Sequence, residues 1–260
     1  MPDITLASFL LDRKTRGETF PLGPMYISSV LEQNGYRVDF RDYQFYPAEN
    51  RFNVEHIVSF LKDSADIIGI STMCNFLPFL VLAIEKIKQQ FPQKVVILGG
   101  PGPTAVGRQL LTSFPFLDII VFGEGEKTVV ELMEHLLAKR NLDGVSGIAF
   151  KNNGKVQVNA PREEIKDLDS LPSPYHSCKN LKDYSTIGVL SGRGCSFGYS
   201  FCSIPTVFGR KVRLRKIEKV VEEISLLYQF IENKTPMPQV FFSDDTLVMD
   251  KGRLLEFCIN

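Results

Sequence analysis

Two thiols stand in a run of small residues, Ser191-Gly192-Arg193-Gly194-Cys195-Ser196-Phe197-Gly198-Tyr199-Ser200-Phe201-Cys202. The run follows Thr186-Ile187-Gly188-Val189-Leu190, a short apolar segment that reads as a buried strand. A strand ending in a Gly-rich, Cys-bearing loop is a place where backbone and thiolates can converge on a compact inorganic ligand. The alternative from the residues alone is a pair of ordinary free thiols that act as small buried hydrophobes.

The elements around this loop follow from periodicity. Lys216 to Ile231 places Ile217, Val220, Val221, Ile224, Leu227 and Ile231 on one helical face, with Glu218, Glu222 and Glu223 mostly outside it. Pro238 to Ser243 is a second strand, ending at Asp244-Asp245. A βαβ order with polar groups at each carboxyl end is how a (βα) barrel begins.

Upstream, Ile4 to Leu11 is a continuous apolar run suited to a central parallel strand covered on both faces. Leu22 to Asn34 has helical spacing and stops at Asn34-Gly35, and Arg37 to Asp42 alternates like a short strand. The unit then repeats, with helices around Val54 to Lys62, Pro78 to Gln90, from near Thr104, and Lys127 to Arg140. Strands fall at Asp66 to Ser71, Lys94 to Leu98 and Leu117 to Phe122. Alternation of this kind predicts a doubly wound parallel α/β sheet of flavodoxin-like (Rossmann-like) strand order.

Three of these strands end in small or acidic residues: Gly69-Ile70-Ser71-Thr72, then Gly99-Gly100-Pro101-Gly102-Pro103-Thr104, then Gly123-Glu124-Gly125-Glu126. Ligands in such sheets sit outside the carboxyl ends of the strands. Any one glycine could simply start its helix. Three clusters at successive strand ends favour a bound ligand.

Past the sheet, Val145 to Phe150 and Lys155 to Val158 flank Asn152-Asn153-Gly154 as a β-hairpin, and Pro161 to Tyr175 has linker composition. This gives a domain over 1–142, a hairpin and linker over 143–182, and a second domain over 183–260.

Composition narrows the classes. A chain of 260 residues, 44% hydrophobic and 23% charged, can bury a real core. Thirty basic residues balance thirty acidic ones, so no overall field draws in nucleic acid or an anionic membrane. The longest apolar run, near Phe76 to Ile84, is broken by Pro78 and too short to span a bilayer, and the N-terminus lacks a basic leader. A cytoplasmic protein is expected. Five irregularly spaced cysteines do not describe a disulfide framework. His56, His135 and His176 are isolated, without metal-ligand spacing.

The thiol loop resembles the cluster loop of radical S-adenosylmethionine enzymes, in which cysteines spaced C-x-x-x-C-x-x-C hold a 4Fe-4S cluster and leave one iron open. Cys195 and Cys202 match the first and third positions, and Tyr199 stands at the second. The strand-end clusters, with Pro21-Leu22-Gly23-Pro24-Met25-Tyr26, look like the cobalamin-binding domain that precedes the barrel in the cobalamin-dependent branch. That likeness implies cobalamin contacts at Ser71, Thr72, Gly99, Gly100, Pro101, Thr104, Gly123, Glu124, Gly125 and Glu126. It implies S-adenosylmethionine near Phe201, Asp244 and Asp245, metal at Cys195 and Cys202, and an electron donor and a small-molecule substrate as partners of an active form. The structural alternative is that Asp244 and Asp245 cap a helix around Lys251 to Phe257.

Two departures matter. Asp12-Arg13-Lys14-Thr15-Arg16-Gly17 sits where many cobalamin proteins carry D-x-H-x-x-G, with Lys14 in the place of the histidine, and an ammonium has no lone pair for cobalt. At Tyr199 a phenol, which titrates near ~10 and offers a hard oxygen, replaces a thiol titrating near ~8.5. Three outcomes follow: loss of the cluster, a third sulfur from Cys178 or Cys258, or an altered copy of an active parent. The sequence reaches Asn260 after about two βα units, so an incomplete barrel is expected. Three function readings follow: a methyltransferase- or cyclase-like enzyme, a cobalamin-binding module without catalysis, and a flavodoxin-like module for another ligand or partner.

Overall fold

The computed structural model describes residues 1–10, 18–178 and 180–259, so the stretch from Asp12 to Gly17 lies outside the described residues. The chain divides into two compact units, Met1–Leu11 with Val30–Glu163 and Asp12–Ser29 with Glu164–Asn260.

In the first unit seven strands form one sheet: β1 (Ile4–Phe9), β2 (Val38–Asp42), β3 (Ile67–Thr72), β4 (Val95–Gly99), β5 (Ile119–Val121), β6 (Ile148–Asn152) and β7 (Lys155–Val158). Their order is β2-β1-β3-β4-β5-β6-β7. The first five run parallel, giving the flavodoxin-like order expected from the alternation of elements. The hairpin expected beyond the sheet instead extends it, with β6 antiparallel to β5 and to β7. Its inner residues Ile148, Ala149 and Phe150 are buried, which drives that docking.

Every residue of β1 is buried, as a strand covered on both faces requires. The strands are packed by α2 (Val54–Leu61) and α3 (Leu77–Gln90), whose Ile57, Leu61, Leu80, Ile84 and Ile87 share one core with Phe9, Ile68, Ile70 and Leu98. Each such fully buried aliphatic side chain contributes about 1.5–3 kcal/mol. The Asn53 side chain accepts from the Glu55 amide at 2.8 Å and so starts α2. The helix α1 (Leu22–Gln33) stops at Asn34-Gly35 as expected, and α5 (Glu126–Leu137) opens on the buried Glu126.

The helix expected near Thr104 begins earlier, as α4 (Pro101–Ser113). Proline suits a first helical position, where its fixed φ is helical and its missing N–H would have no intrahelical acceptor.

The second unit contains β8 (Thr186–Val189), β9 (Gly192–Arg193), α6 (Ile204–Phe208), β10 (Arg213–Leu214), α7 (Ile217–Ile231), β11 (Gln239–Phe242) and α8 (Lys251–Ile259). β8 and β11 pair in parallel, with α7 as the helix of their crossover. Gly188 lies opposite Phe241, and a Cβ on Gly188 would collide with the Ser243 hydroxyl, so the two strands need glycine there. β9 and β10 pair antiparallel and with α6 were not anticipated, because elements of two to five residues carry no readable period. α7 buries Glu223 as well as its apolar stripe. That carboxylate, placed outside the apolar face by sequence, is drawn in by an ion pair with Arg215. Among the described residues no helix is long and apolar enough to cross a membrane.

Candidate functional site

The strand order reverses between β1 and β3, which pair with Phe9 opposite Thr72 at their carboxyl ends. Ligands of open α/β sheets sit at such a switch. Ser71 is half-buried and Thr72 buried at the end of β3, and Gly99 ends β4. Gly100, with φ of 95°, caps α4. An added Cβ on Gly100 would stand 2.8 Å from the Thr72 carbonyl oxygen, and one on Gly102 would stand 2.9 Å from the Met73 carbonyl carbon. The start of α4 therefore lies directly against the turn after β3. At Gly99 a Cβ would meet only Val121, at 3.9 Å, so room remains beside that strand end.

A second link joins the next pair of loops. The Gly123 amide donates to the Thr104 hydroxyl at 3.3 Å, tying the first turn of α4 to the end of β5. The sequence-derived set at β3, β4 and β5 is thus connected through Thr72–Gly100 and Thr104–Gly123, while Glu124 and Gly125 lead into Glu126 at the start of α5. Pro101 and Pro103 remove two of the amide donors with which a helix start would hold a phosphate. The cradle offers shape and hydroxyls more than anion-binding amides.

Sequence reading passed over Gly107. A Cβ there would stand 2.6 Å from Ile120 Cγ2 and 2.7 Å from Phe122 Cε1, so this glycine sets how close α4 lies to the sheet. Its place inside a helix gave no loop signal.

The thiol loop is positioned by three consecutive residues after β11. The Ser191 amide donates to Asp244 Oδ1 at 2.7 Å, and the Ser191 hydroxyl donates to Asp244 Oδ2. The Gly194 amide donates to Asp245 Oδ2 at 3.1 Å. Thr246 Oγ1 lies 3.4 Å from Cys195 Sγ. Burial raises the Asp244 carboxyl against the opposing pull of its Ser191 and Gly192 bonds, and burial likewise raises Asp245 against that of Gly194. Both aspartates hold the loop backbone. Neither caps α8, whose Arg253 amide donates to Asp250 instead.

Charged side chains frame the same turn. Arg215 donates to the Leu190 carbonyl at 2.9 Å and pairs with Asp169 and Glu223. Arg253 donates to the carbonyls of Arg215 and Ser191 at 2.7 and 3.3 Å. The buried Arg193 guanidinium lies over the rings of Tyr26 and Phe208, at 5.1 and 5.6 Å. A Cβ on Gly194 would run into the Lys211 carbonyl, so the residue before Cys195 must be glycine.

Beyond Cys195 the loop changes character. Cys195 is buried and Cys202 half-buried, whereas Phe197, Tyr199 and Phe201 are exposed. Their rings form a ladder with centroids 5.7 and 5.4 Å apart, tilted by 24° and 20°. The Cys202 amide donates to the Tyr199 carbonyl at 3.2 Å, closing a turn across the third thiol position. Among the described residues no group of three or more His, Cys, Asp or Glu side chains is placed to hold a metal ion.

A B12-binding domain model matches residues 10–133. An uncharacterized methyltransferase of Pyrococcus horikoshii is 31% identical over 76% of this chain and 43% of its own length. The anaerobic magnesium-protoporphyrin IX monomethyl ester cyclase of Cereibacter sphaeroides is 29% identical over 92% of this chain and 39% of its own. The solved radical S-adenosylmethionine methyltransferase TsrM of Kitasatospora setae, with cobalamin and a [4Fe-4S] cluster bound, superposes with a TM-score of 0.73 at 16% identity. It covers 98% of this chain and 51% of that one.

The chain carries a B12-binding domain, and the proteins it resembles include cobalamin-dependent radical S-adenosylmethionine enzymes. It spans about half the length, or less, of the proteins it matches. The cradle at β3, β4 and β5 lies within the residues matched by the B12-binding domain, and the Cys195 loop belongs to the second unit. None of the three histidines belongs to a strand or to the turn that follows one. His56 is on α2 with Nδ1 3.3 Å from the Asn50 carbonyl, His135 is on α5 with Nδ1 2.5 Å from the Asn141 carbonyl, and His176 faces Phe230 in the second unit.

Proposed function

We propose that this chain is a cobalamin-binding radical S-adenosylmethionine protein of the methyltransferase- or cyclase-like kind. The carrying observation is the glycine cradle, where Gly100 and Gly102 bring α4 against the turn after β3 while Gly99 leaves space. Such a surface fits a large, mostly neutral ring system held by shape and by the Ser71, Thr72 and Thr104 hydroxyls, with Pro101, Gly123, Glu124, Gly125 and Glu126 completing its wall. Cobalamin held there would supply alkyl-group chemistry, and the residues of the cradle would bind and orient it.

Ser71 and Thr72 stand at the switch point, and Thr104 fixes the position of Gly123. In the second unit Asp244 and Asp245 serve S-adenosylmethionine indirectly, by fixing the Ser191 to Gly194 backbone, and Phe201 offers an open ring for a planar group. A small-molecule substrate and an electron donor would complete an active form.

The donor set does not fit a three-thiolate cluster, since the loop offers Cys195, Cys202 and the Tyr199 phenol. Tyr199 favours the second reading, a cobalamin-binding module without radical chemistry of its own. Titration of the full chain with hydroxocobalamin tests the shared part of both readings. A changed absorption spectrum and a raised melting temperature are expected; neither change at saturating cofactor rules cobalamin out.

A further inference from the structure

We infer that the Cys195–Cys202 loop does not assemble a 4Fe-4S cluster and is ordered in its metal-free state by the ring ladder centred on Tyr199. Two observations meet at this residue. It replaces soft, readily ionised sulfur with a hard phenol oxygen at the position a second thiolate would hold, and a cluster needs thiolates to anchor it. Its ring is also already engaged, as the middle plate between Phe197 and Phe201.

Among the described residues no other side chain makes up the shortfall. Cys178 and Cys258 belong to the same unit, but among the described residues neither joins Cys195 and Cys202 in a group able to hold a metal ion. Cys258 is exposed on α8.

A loop that folds around a metal ordinarily takes its order from the metal. Here order is available without one. Asp244, Asp245 and Thr246 fix the stretch from Ser191 to Cys195, the ring ladder spans Phe197 to Phe201, and the bond from Cys202 to the Tyr199 carbonyl closes the far side.

The inference rests on the family assignment of the loop and not on cobalamin binding, so cobalamin is titrated into every sample as a separate readout. The full chain, Tyr199→Phe, Tyr199→Cys and a Cys195→Ala/Cys202→Ala control are reconstituted anaerobically with ferrous iron and sulfide. Iron and labile sulfide are counted, and the thiolate-to-iron absorption is recorded. The native chain and Tyr199→Phe are expected to hold no more iron than the control, and Tyr199→Cys is expected to gain ~4 irons per chain. Iron loading of the native chain to that level overturns the inference, and so does a folded Tyr199→Cys that stays at the control level.

Hydrogen exchange on metal-free protein provides a test that does not depend on Tyr199→Cys folding. Protection of the 196–202 amides is expected to be unchanged in Tyr199→Phe and to fall on the order of tenfold in Tyr199→Ala. Equal protection in all three overturns the ordering role of the ladder.

Discussion

Asp245 and Gly194 are 51 positions apart in sequence, yet the Gly194 amide donates to the Asp245 carboxylate at 3.1 Å, one residue before the buried Cys195. The end of β11 thereby sets the course of the loop that leaves β8. Asp245→Ala leaves the Gly194 N–H without its acceptor, which costs about 1–3 kcal/mol. Thermal unfolding of the full chain should show a lower melting temperature for the second unit and faster alkylation of Cys195, with cobalamin affinity unchanged.

Gly100 presents a sharper constraint. Its φ of 95° and the 2.8 Å that would separate an added Cβ from the Thr72 carbonyl oxygen mean that Gly100→Ala must shift either α4 or the turn after β3. A loss of about 1–3 kcal/mol is expected, together with weakened cobalamin binding. Gly23→Ala, where a side chain meets nothing within 4 Å, serves as the comparison and should melt near the native value.

Acid stability follows from Asp3. Its side-chain bond with Arg37 holds its carboxyl at about 2, below the ordinary 3.8. A depressed carboxyl contributes stability that is fully present above its unfolded value and is lost as pH falls through its folded value. The Arg37 side chain is 68% exposed, so solvent screens the pair and keeps its contribution small. Melting profiles between pH 5 and 2 should therefore fall less steeply for Asp3→Asn than for the native chain. Asp244 and Asp245 act in the opposite sense: their raised carboxyls favour folding most below their unfolded value, and this contribution is lost as pH rises through the folded one. Asp245→Asn should flatten that decline.

Histidine is not expected on cobalt. Lys14 stands at the histidine position of the common cobalamin motif, and His56, His135 and His176 are placed on helices α2 and α5 and in the second unit. Replacing all three with alanine should leave the cobalamin spectrum and affinity as they were. A loss of about tenfold or more, with a changed cobalt spectrum, would identify a histidine ligand.

Much of this arrangement was legible in the sequence. Long periods and apolar runs implied the parallel order of β1 to β5, and glycine at successive strand ends pointed to Ser71, Gly99, Gly100 and Gly123. The features that escaped are those whose cause is tertiary. Gly107 matters because Ile120 and Phe122 lie beneath it, and Glu223 is buried because Arg215 meets it. Thr246 and Ser191 gained roles only when β8 and β11 paired. The hairpin of β6 and β7 had a clear turn signal, but nothing local to it could say that Phe150 would pair with Ile119.

The central claim is that the strand ends of the first unit hold cobalamin, and equilibrium dialysis against hydroxocobalamin tests it most directly. The native chain should retain one cobalamin per chain, and Gly99→Phe, which fills the space beside β4 while Gly99→Ala does not, should lose it. No retention by the native chain, or undiminished retention by a folded Gly99→Phe, would contradict the account.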